Sequence, residues 1–234
     1  NNYITGFFPF TQSGQVSQAT GFVEKPEWVA NVTPVYNGDA VAGDIDGDND
    51  PDLILTGWNR TQISKVYINN GSALLENQSW QANLTPMQAS SLALGDIDND
   101  DALDLVLTGE DPYGLWLYPP ISKVYINNGS AFIENQTWQS ELMPVKESSI
   151  ALADLNSDGR LDLILTGTNT TQMAGPWSYP AVAKVYINNG SAFVESQSWQ
   201  ANLTGVYKSS IDVGDLNGDG KIDLVLTGWN GSSP

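Results

Sequence analysis

Apolar positions along the chain come in short blocks separated by turn-forming residues. Leu105-Val106-Leu107-Thr108 is a continuous apolar run, as expected of a strand buried on both faces. Ser90 to Leu94 is a small and apolar block, and Lys123-Val124-Tyr125-Ile126 alternates in a strand-like way. Asn128-Gly129 follows, and predicts a two-residue hairpin with positive φ at both positions. Ala131-Phe132-Ile133 then begins a returning strand. No segment shows a helical period with caps, so the chain is expected to be all-β.

The blocks repeat. GDIDGDNDPDLILTG (43–57), GDIDNDDALDLVLTG (95–109), ADLNSDGRLDLILTG (153–167) and GDLNGDGKIDLVLTG (214–228) share one pattern. KVYINNGSA recurs at Lys65, Lys123 and Lys184. A third block has Phe or Leu, Glu two residues on and Trp six residues on: Leu74/Glu76/Trp80, Phe132/Glu134/Trp138, Phe193/Glu195/Trp199 and, near the start, Phe22/Glu24/Trp28. The spacing varies in one place only, between the LTG glycine and the KVY lysine, so one loop per repeat is free and the rest is scaffold. Four antiparallel strands per repeat predict the blade of a β-propeller.

Four loops predict about four four-stranded blades, one of them split between the termini. The outer-strand motif Phe22–Trp28 opens the chain, and the inner two strands of the last blade end at Gly228. Two arrangements satisfy this offset. The termini can close one blade within the chain, or the N-terminal strand can complete the split blade of a neighbour, giving a head-to-tail oligomer or filament. Residues 1–14 read as an apolar arm and 15–234 as one domain. The stretch Tyr3 to Phe10 matches no repeat and needs cover.

Charge sharpens the picture. Nine basic against 27 acidic residues give a net charge of −18, so nucleic acid and anionic membranes are poor partners and a cation is a good one. Sixteen of the 27 acids lie in the four nine-residue loops 44–52, 96–104, 154–162 and 215–223. Their spacing is D-x-[DN]-x-D-x-x-x-D: Asp44, Asp46, Asp48, Asp52; Asp96, Asp98, Asp100, Asp104; Asp154, Asn156, Asp158, Asp162; and Asp215, Asn217, Asp219, Asp223. Oxygens at positions 1, 3 and 5 of a tight loop converge, position 7 can add its carbonyl, and an Asp at position 9 closes the set. These hard oxygens suit Ca²⁺, up to four ions in all. Gly159 and Gly220 ease the turn at position 6, whereas Asp101 there makes the second loop the least comfortable.

These loops and the DLxLTG blocks resemble the FG-GAP and VCBS type of calcium-binding repeat over residues 15–229. The resemblance implies a β-propeller with Ca²⁺ on one face, an extracellular or cell-surface location, and an adhesive or scaffolding role. The Phe-Gly and Gly-Ala-Pro signature is replaced here by Ser-Ser-x-Ala-Leu, and such propellers usually have seven blades.

Asn-x-Ser/Thr sequons stand at Asn31, Asn59, Asn70, Asn77, Asn83, Asn128, Asn135, Asn169, Asn189, Asn202 and Asn230, which predicts a glycosylated surface protein. Trp28, Trp80, Trp138 and Trp199 share one repeat position and are expected to pack between blades. The variable loops 110–120 and 168–181 carry Tyr113, Trp116, Tyr118, Trp177 and Tyr179 beside prolines, on the face opposite the Asp loops. They are candidate contacts for sugars or extracellular proteins, as in a lectin. The chain has no cysteine and no histidine, which removes disulfides, thiol catalysis and the commonest general base. Glu110, Asp111, Glu141 and Glu147 show no obvious partners, and no catalytic function is expected. A structural or adhesive module leads; a lectin-like binder and a fragment of a larger propeller are the alternatives.

Overall fold

The structure, a computed structural model, describes residues 25–111, 118–169 and 180–231. Within them the all-β expectation holds as four antiparallel sheets. Sheet 1 is the meander β1 (Ala40–Gly43), β2 (Asp52–Trp58), β3 (Gln62–Asn69) and β4 (Leu74–Glu76). Sheet 2 is β5 (Gln88–Gly95), β6 (Asp104–Glu110), β7 (Pro120–Asn127) and β8 (Phe132–Glu134). Sheet 3 is β9 (Lys146–Ala153), β10 (Asp162–Thr168), β11 (Ala181–Asn188) and β12 (Phe193–Glu195). Sheet 4 has two described strands, β13 (Tyr207–Gly214) and β14 (Asp223–Trp229). The continuous apolar runs become the second strands β2, β6 and β10, which are buried over almost their whole length.

Two local expectations are corrected. One-turn helices α1 (Pro26–Val29), α2 (Gln78–Gln81), α3 (Gln136–Gln139) and α4 (Gln197–Gln200) carry the repeated tryptophans. A single turn is too short to show a period. Its sign in the sequence was the cap: Asn77 Oδ1 accepts from the Ser79 and Trp80 N–H groups, and Asn135 Oδ1 from those of Thr137 and Trp138. The Asn-Gly hairpin is also longer than two residues. Asn127 pairs with Phe132, so four residues make the turn. Only Gly129 takes positive φ, at 81°, and the Asn128 Oδ1 accepts from the Ser130 and Ala131 N–H groups.

Successive sheets pack against each other, with β1 beside β5, β5 beside β9 and β9 beside β13. The seam between sheets 1 and 2 buries Ile45, Ile54 and Val66 against Leu105, Leu107, Tyr125 and Phe132, with Trp80, Leu84 and Met87 between. The seam between sheets 2 and 3 repeats this with Ile97, Val106 and Val124 against Leu163, Leu165, Tyr186 and Phe193 around Trp138. Trp80 meets Phe132, and Trp138 meets Phe193, edge to face at 5.3 Å.

The Leu-Thr-Gly motif belongs to the same seams. Hydroxyl pairs Thr56–Ser90 (2.7 Å), Thr108–Ser148 (2.8 Å) and Thr166–Ser209 (2.8 Å) tie each sheet to the next. The glycine that follows must approach backbone closely: Gly57 N–H donates to Met87 O and Gly167 N–H to Val206 O, both at 2.9 Å. At Gly109 the φ is 158°, and a Cβ would lie 2.9 Å from Gln88 O.

Among the described residues the series ends at sheet 4. β13 has no packing on β1 comparable to that between successive sheets, so the described residues do not close a ring. The outer-strand motif at Phe22 and Glu24, and the arm 1–14, lie outside the described residues. Trp28, Val32 and Val35 cover Leu53, Leu55, Tyr67 and Leu74 of sheet 1.

The contrast between equivalent tryptophans is testable. Trp138 is 5% exposed and Trp199 is 47% exposed. Trp138→Ala is expected to cost about 3–5 kcal/mol, and Trp199→Ala much less, in urea unfolding followed by circular dichroism.

Candidate metal centre

Each Asp loop joins the first and second strands of a sheet, and all four wind in the same way. The position 1 carboxylate takes the backbone of its own loop. Asp44 Oδ1 accepts from the Gly47 and Asp48 N–H groups and Oδ2 from Asn49. Asp96 accepts from Asp100 and Asp101, Asp154 from Asp158 and Gly159, and Asp215 from Gly218, Asp219 and Gly220. The position 5 carboxylates bind the N–H two residues on: Asp48 to Asp50, Asp100 to Ala102, Asp158 to Arg160, Asp219 to Lys221. In the last two loops Asn156 and Asn217 at position 3 also accept from Asp158 and Asp219. Such turns need left-handed residues. Asn49 (φ 71°) and Asp101 (φ 73°) adopt the same conformation as Gly159 and Gly220, so the second loop is as well formed as the others.

The position 9 aspartates do more than the spacing implied. Asp52, Asp104 and Asp162 are buried beneath their loops. Asp52 accepts from Ile45 N–H (2.9 Å) and Asn69 N–H (2.8 Å), joining the loop to the β3–β4 hairpin. Asp104 does the same with Ile97 and Asn127, and Asp162 with Leu155 and Asn188. Asp223 accepts from Leu216 N–H at 3.0 Å. A clamp that the sequence reading missed joins neighbouring sheets: Asn127 Nδ2 donates to Ile45 O and Asn188 Nδ2 to Ile97 O, both at 2.8 Å. Its signal was the invariant first Asn of each INNG block.

In the first two loops, carboxylates converge. Asp44, Asp46 and Asp48 each offer an oxygen within 4.8 Å of the others, and so do Asp96, Asp98 and Asp104. Burial, followed by the Asp48 charge, raises the Asp46 carboxyl above its usual range. Burial, then Asp100 and Asp96, raises Asp98. Burial pushes both Asp52 and Asp104 up to about 6, against the hydrogen bonds they accept. Burial also raises Asp162. In the exposed fourth loop the Gly220 N–H holds Asp215 below its usual range. The third loop differs in charge, because Arg160 pairs with Asp158 and its Nε donates to Asn188 O at 2.9 Å. The donor set of the first two loops, carboxylate and carbonyl oxygens without nitrogen or sulfur, fits a hard divalent cation.

The other candidate residues are dispersed. Tyr113, Trp116, Trp177 and Tyr179 lie outside the described residues, while Tyr118 is exposed at the edge of its loop. Asn31, Asn70, Asn83, Asn128, Asn189, Asn202 and Asn230 are exposed; Asn59, Asn77 and Asn135 are half-buried. Asn169 is 2% exposed, which leaves no room for a glycan on the folded chain.

The acidic residues without expected partners have them. Lys146 Nζ pairs with Glu110 at 2.9 Å, Lys208 with Glu147 at 3.7 Å, and Glu141 accepts from Glu195 N–H at 3.3 Å. Packing of neighbouring sheets brings these groups together across distances the sequence does not reveal. The repeated Glu of the third block has a similar role. Lys65–Glu76, Lys123–Glu134 and Lys184–Glu195 pair at 2.6 Å across the outer two strands. The lysine hydrogen bond holds Glu76 and Glu195 below the usual carboxylate range. At Glu134 burial opposes ionisation, and Lys123 with Gln139 outweighs it.

Meandering antiparallel sheets stacked in series, each with an Asp-rich loop at one end, define a repeat protein built from a single Asp-loop unit. The FG-GAP-like repeat family matches residues 44–107 and 154–226, and the chain belongs to it. No curated protein matches it in sequence. A solved structure of an Agrocybe aegerita lectin, titled for specific recognition of non-reducing terminal N-acetylglucosamine, is similar at 19% identity and a TM-score of 0.47. That similarity covers 79% of this chain and 45% of the lectin chain, so the chain spans less than half of that protein's length. Among the described residues, no helix is long and apolar enough to cross a membrane.

The raised aspartates predict a pH dependence. Between the ordinary value of 3.8 and about 6, folded Asp52 and Asp104 hold protons that the unfolded chain has released. Folding takes up protons in that window, so these two groups make the metal-free chain less stable as pH rises through it. Urea midpoints in chelator, taken across the window, should fall less steeply for the double variant Asp52→Asn/Asp104→Asn than for the natural chain.

Proposed function

We propose that the chain is a calcium-binding β-propeller module with a structural or adhesive role outside the cell or on its surface. The observation that carries this reading is the convergence of carboxylates in the first two loops, over a buried aspartate whose ionisation needs a counter-charge. Asp44, Asp46, Asp48 and Asp52 would hold one ion, and Asp96, Asp98, Asp100 and Asp104 a second. Asp154, Asn156, Asp158, Asp162 and Asp215, Asn217, Asp219, Asp223 would hold a third and fourth, with one carboxylate fewer at position 3 in each. Bound Ca²⁺ supplies the positive charge that these clusters lack. The chain's own part is to hold the oxygens close, through the backbone hydrogen bonds of positions 1 and 5. Position 9 then connects the filled loop to the hairpin beside it, so the ion stiffens the end of the sheet.

The role is non-catalytic. Family membership and the many exposed sequons support the extracellular placement, and Asn31, Asn70, Asn83, Asn128, Asn189, Asn202 and Asn230 are the acceptors proposed first. The preferred partner is a second copy of the chain, in a head-to-tail oligomer or filament. A second reading, a lectin-like contact through the aromatic loops, draws on the pinned base of the first such loop. There Lys146 Nζ binds Glu110 and also donates to Tyr118 O at 3.2 Å. Glycan-array binding that disappears in Trp116→Ala/Trp177→Ala, with oligomeric state unchanged, would favour that reading.

Ca²⁺ is expected to stabilise the fold by about 2.7 kcal/mol per site at a hundredfold excess over its dissociation constant. Thermal melts with Ca²⁺ and with chelator check this, and equal midpoints would overturn the proposal. Isothermal titration should show one site fewer in Asp46→Ala and one fewer in Asp98→Ala.

A further inference from the structure

The seam between sheets is formed with the same parts each time, and its two halves are left open at the ends of the stack. On the far side of sheet 4, Leu216 is 66% exposed, where its equivalents Ile45 and Ile97 are buried and Leu155 is half-buried. Val225 is 44% exposed, where Ile54, Val106 and Ile164 are buried. The β14 strand has one hydrogen-bonded neighbour, so its outer edge is unpaired among the described residues. On the near side of sheet 1, Asn69 Nδ2 donates to Pro51 O within its own sheet at 3.0 Å. Asn127 and Asn188 make the same bond and a second one, to the position 2 carbonyl of the preceding sheet's Asp loop. By that rule the missing acceptor for Asn69 is Leu216 O.

We propose that these two faces are the halves of one interface, filled by a second copy of this chain. Sheet 1 of the second copy seats on sheet 4 of the first. This rests on the self-assembling reading above and names its surfaces. Three observations favour a second copy as the occupant. The contact continues a seam already formed between successive sheets of the chain, with matched positions on both sides. Among the described residues the stack is open, because β13 does not pack on β1 as successive first strands pack on each other. The sequence also places an outer-strand motif, Phe22 and Glu24, just before α1, as Leu74 and Glu76 lie just before α2. The faces differ, so the contact is heterologous and each copy still presents both halves: the assembly propagates as a filament or closes as a ring of copies.

Two differently tagged copies are co-expressed and purified on one tag. The expected result is co-purification of the other tag, with light scattering of the natural chain showing species well above one chain mass. Val225→Arg, a change at an exposed position, should reduce it to a single-chain mass with its circular dichroism retained. A monomeric natural chain, or tags that do not co-purify, would overturn the proposal. Assembly that survives Val225→Arg would overturn the choice of surface. Ca²⁺ titration of the natural chain separates the two readings, since absent binding sinks the metal proposal while mass and co-purification still decide the interface.

Discussion

A four-stranded sheet whose second strand is apolar on both faces cannot bury itself. Leu53, Ile54 and Leu55 point alternately to two sides, and both sides need cover. One side is met by the next sheet, which is in the same position, and the molecule is the consequence of repeating that solution. The seam sets the rest of the sequence pattern. A tryptophan on a single helical turn fills the gap between sheets, threonine and serine hydroxyls satisfy each other across it, and glycine stands where two backbones touch. Because the seam is directional, a stack that does not close into a ring begins with one unsatisfied face and ends with the other.

The Asp loops are a second consequence. Strands that pack so closely leave the loops crowded at one end of the stack, and the INNG hairpin of one sheet reaches the Asp loop of the sheet before it. The position 9 aspartate sits at this junction, buried and bound by two N–H groups. Those bonds favour its charge, burial opposes it, and burial wins while no cation is present. A cation in the loop would reverse that balance. A bound cation and sheet docking would therefore act on the same group of atoms, and a loop of exposed carboxylates would then matter to the stability of a protein whose core lies elsewhere. The third loop carries its own cation in Arg160, so its dependence on metal should be weaker than that of the first two.

Much of this was legible in the sequence because the repeat converts spacing into position. The all-β class, the order of strands within a sheet, the four Asp loops and the place of the tryptophans follow from local periodicity and from turn chemistry, and these depend on neighbours along the chain. The Asn128-Gly129 turn shows the limit of that reading: the pair promised a two-residue hairpin, and the Asn128 side chain instead holds a longer turn. The ion pairs of Glu110 and Glu147, the clamp from Asn127 to Ile45 and the burial of Asn169 were not legible, because their partners come from other strands and other sheets. The same holds for the buried aspartates. Four aspartates at position 9 look alike in sequence, yet three are covered by a following hairpin and Asp223 has no described hairpin above it. Local order was set by the chain itself; burial, and with it charge, was decided by which sheet came to lie against which.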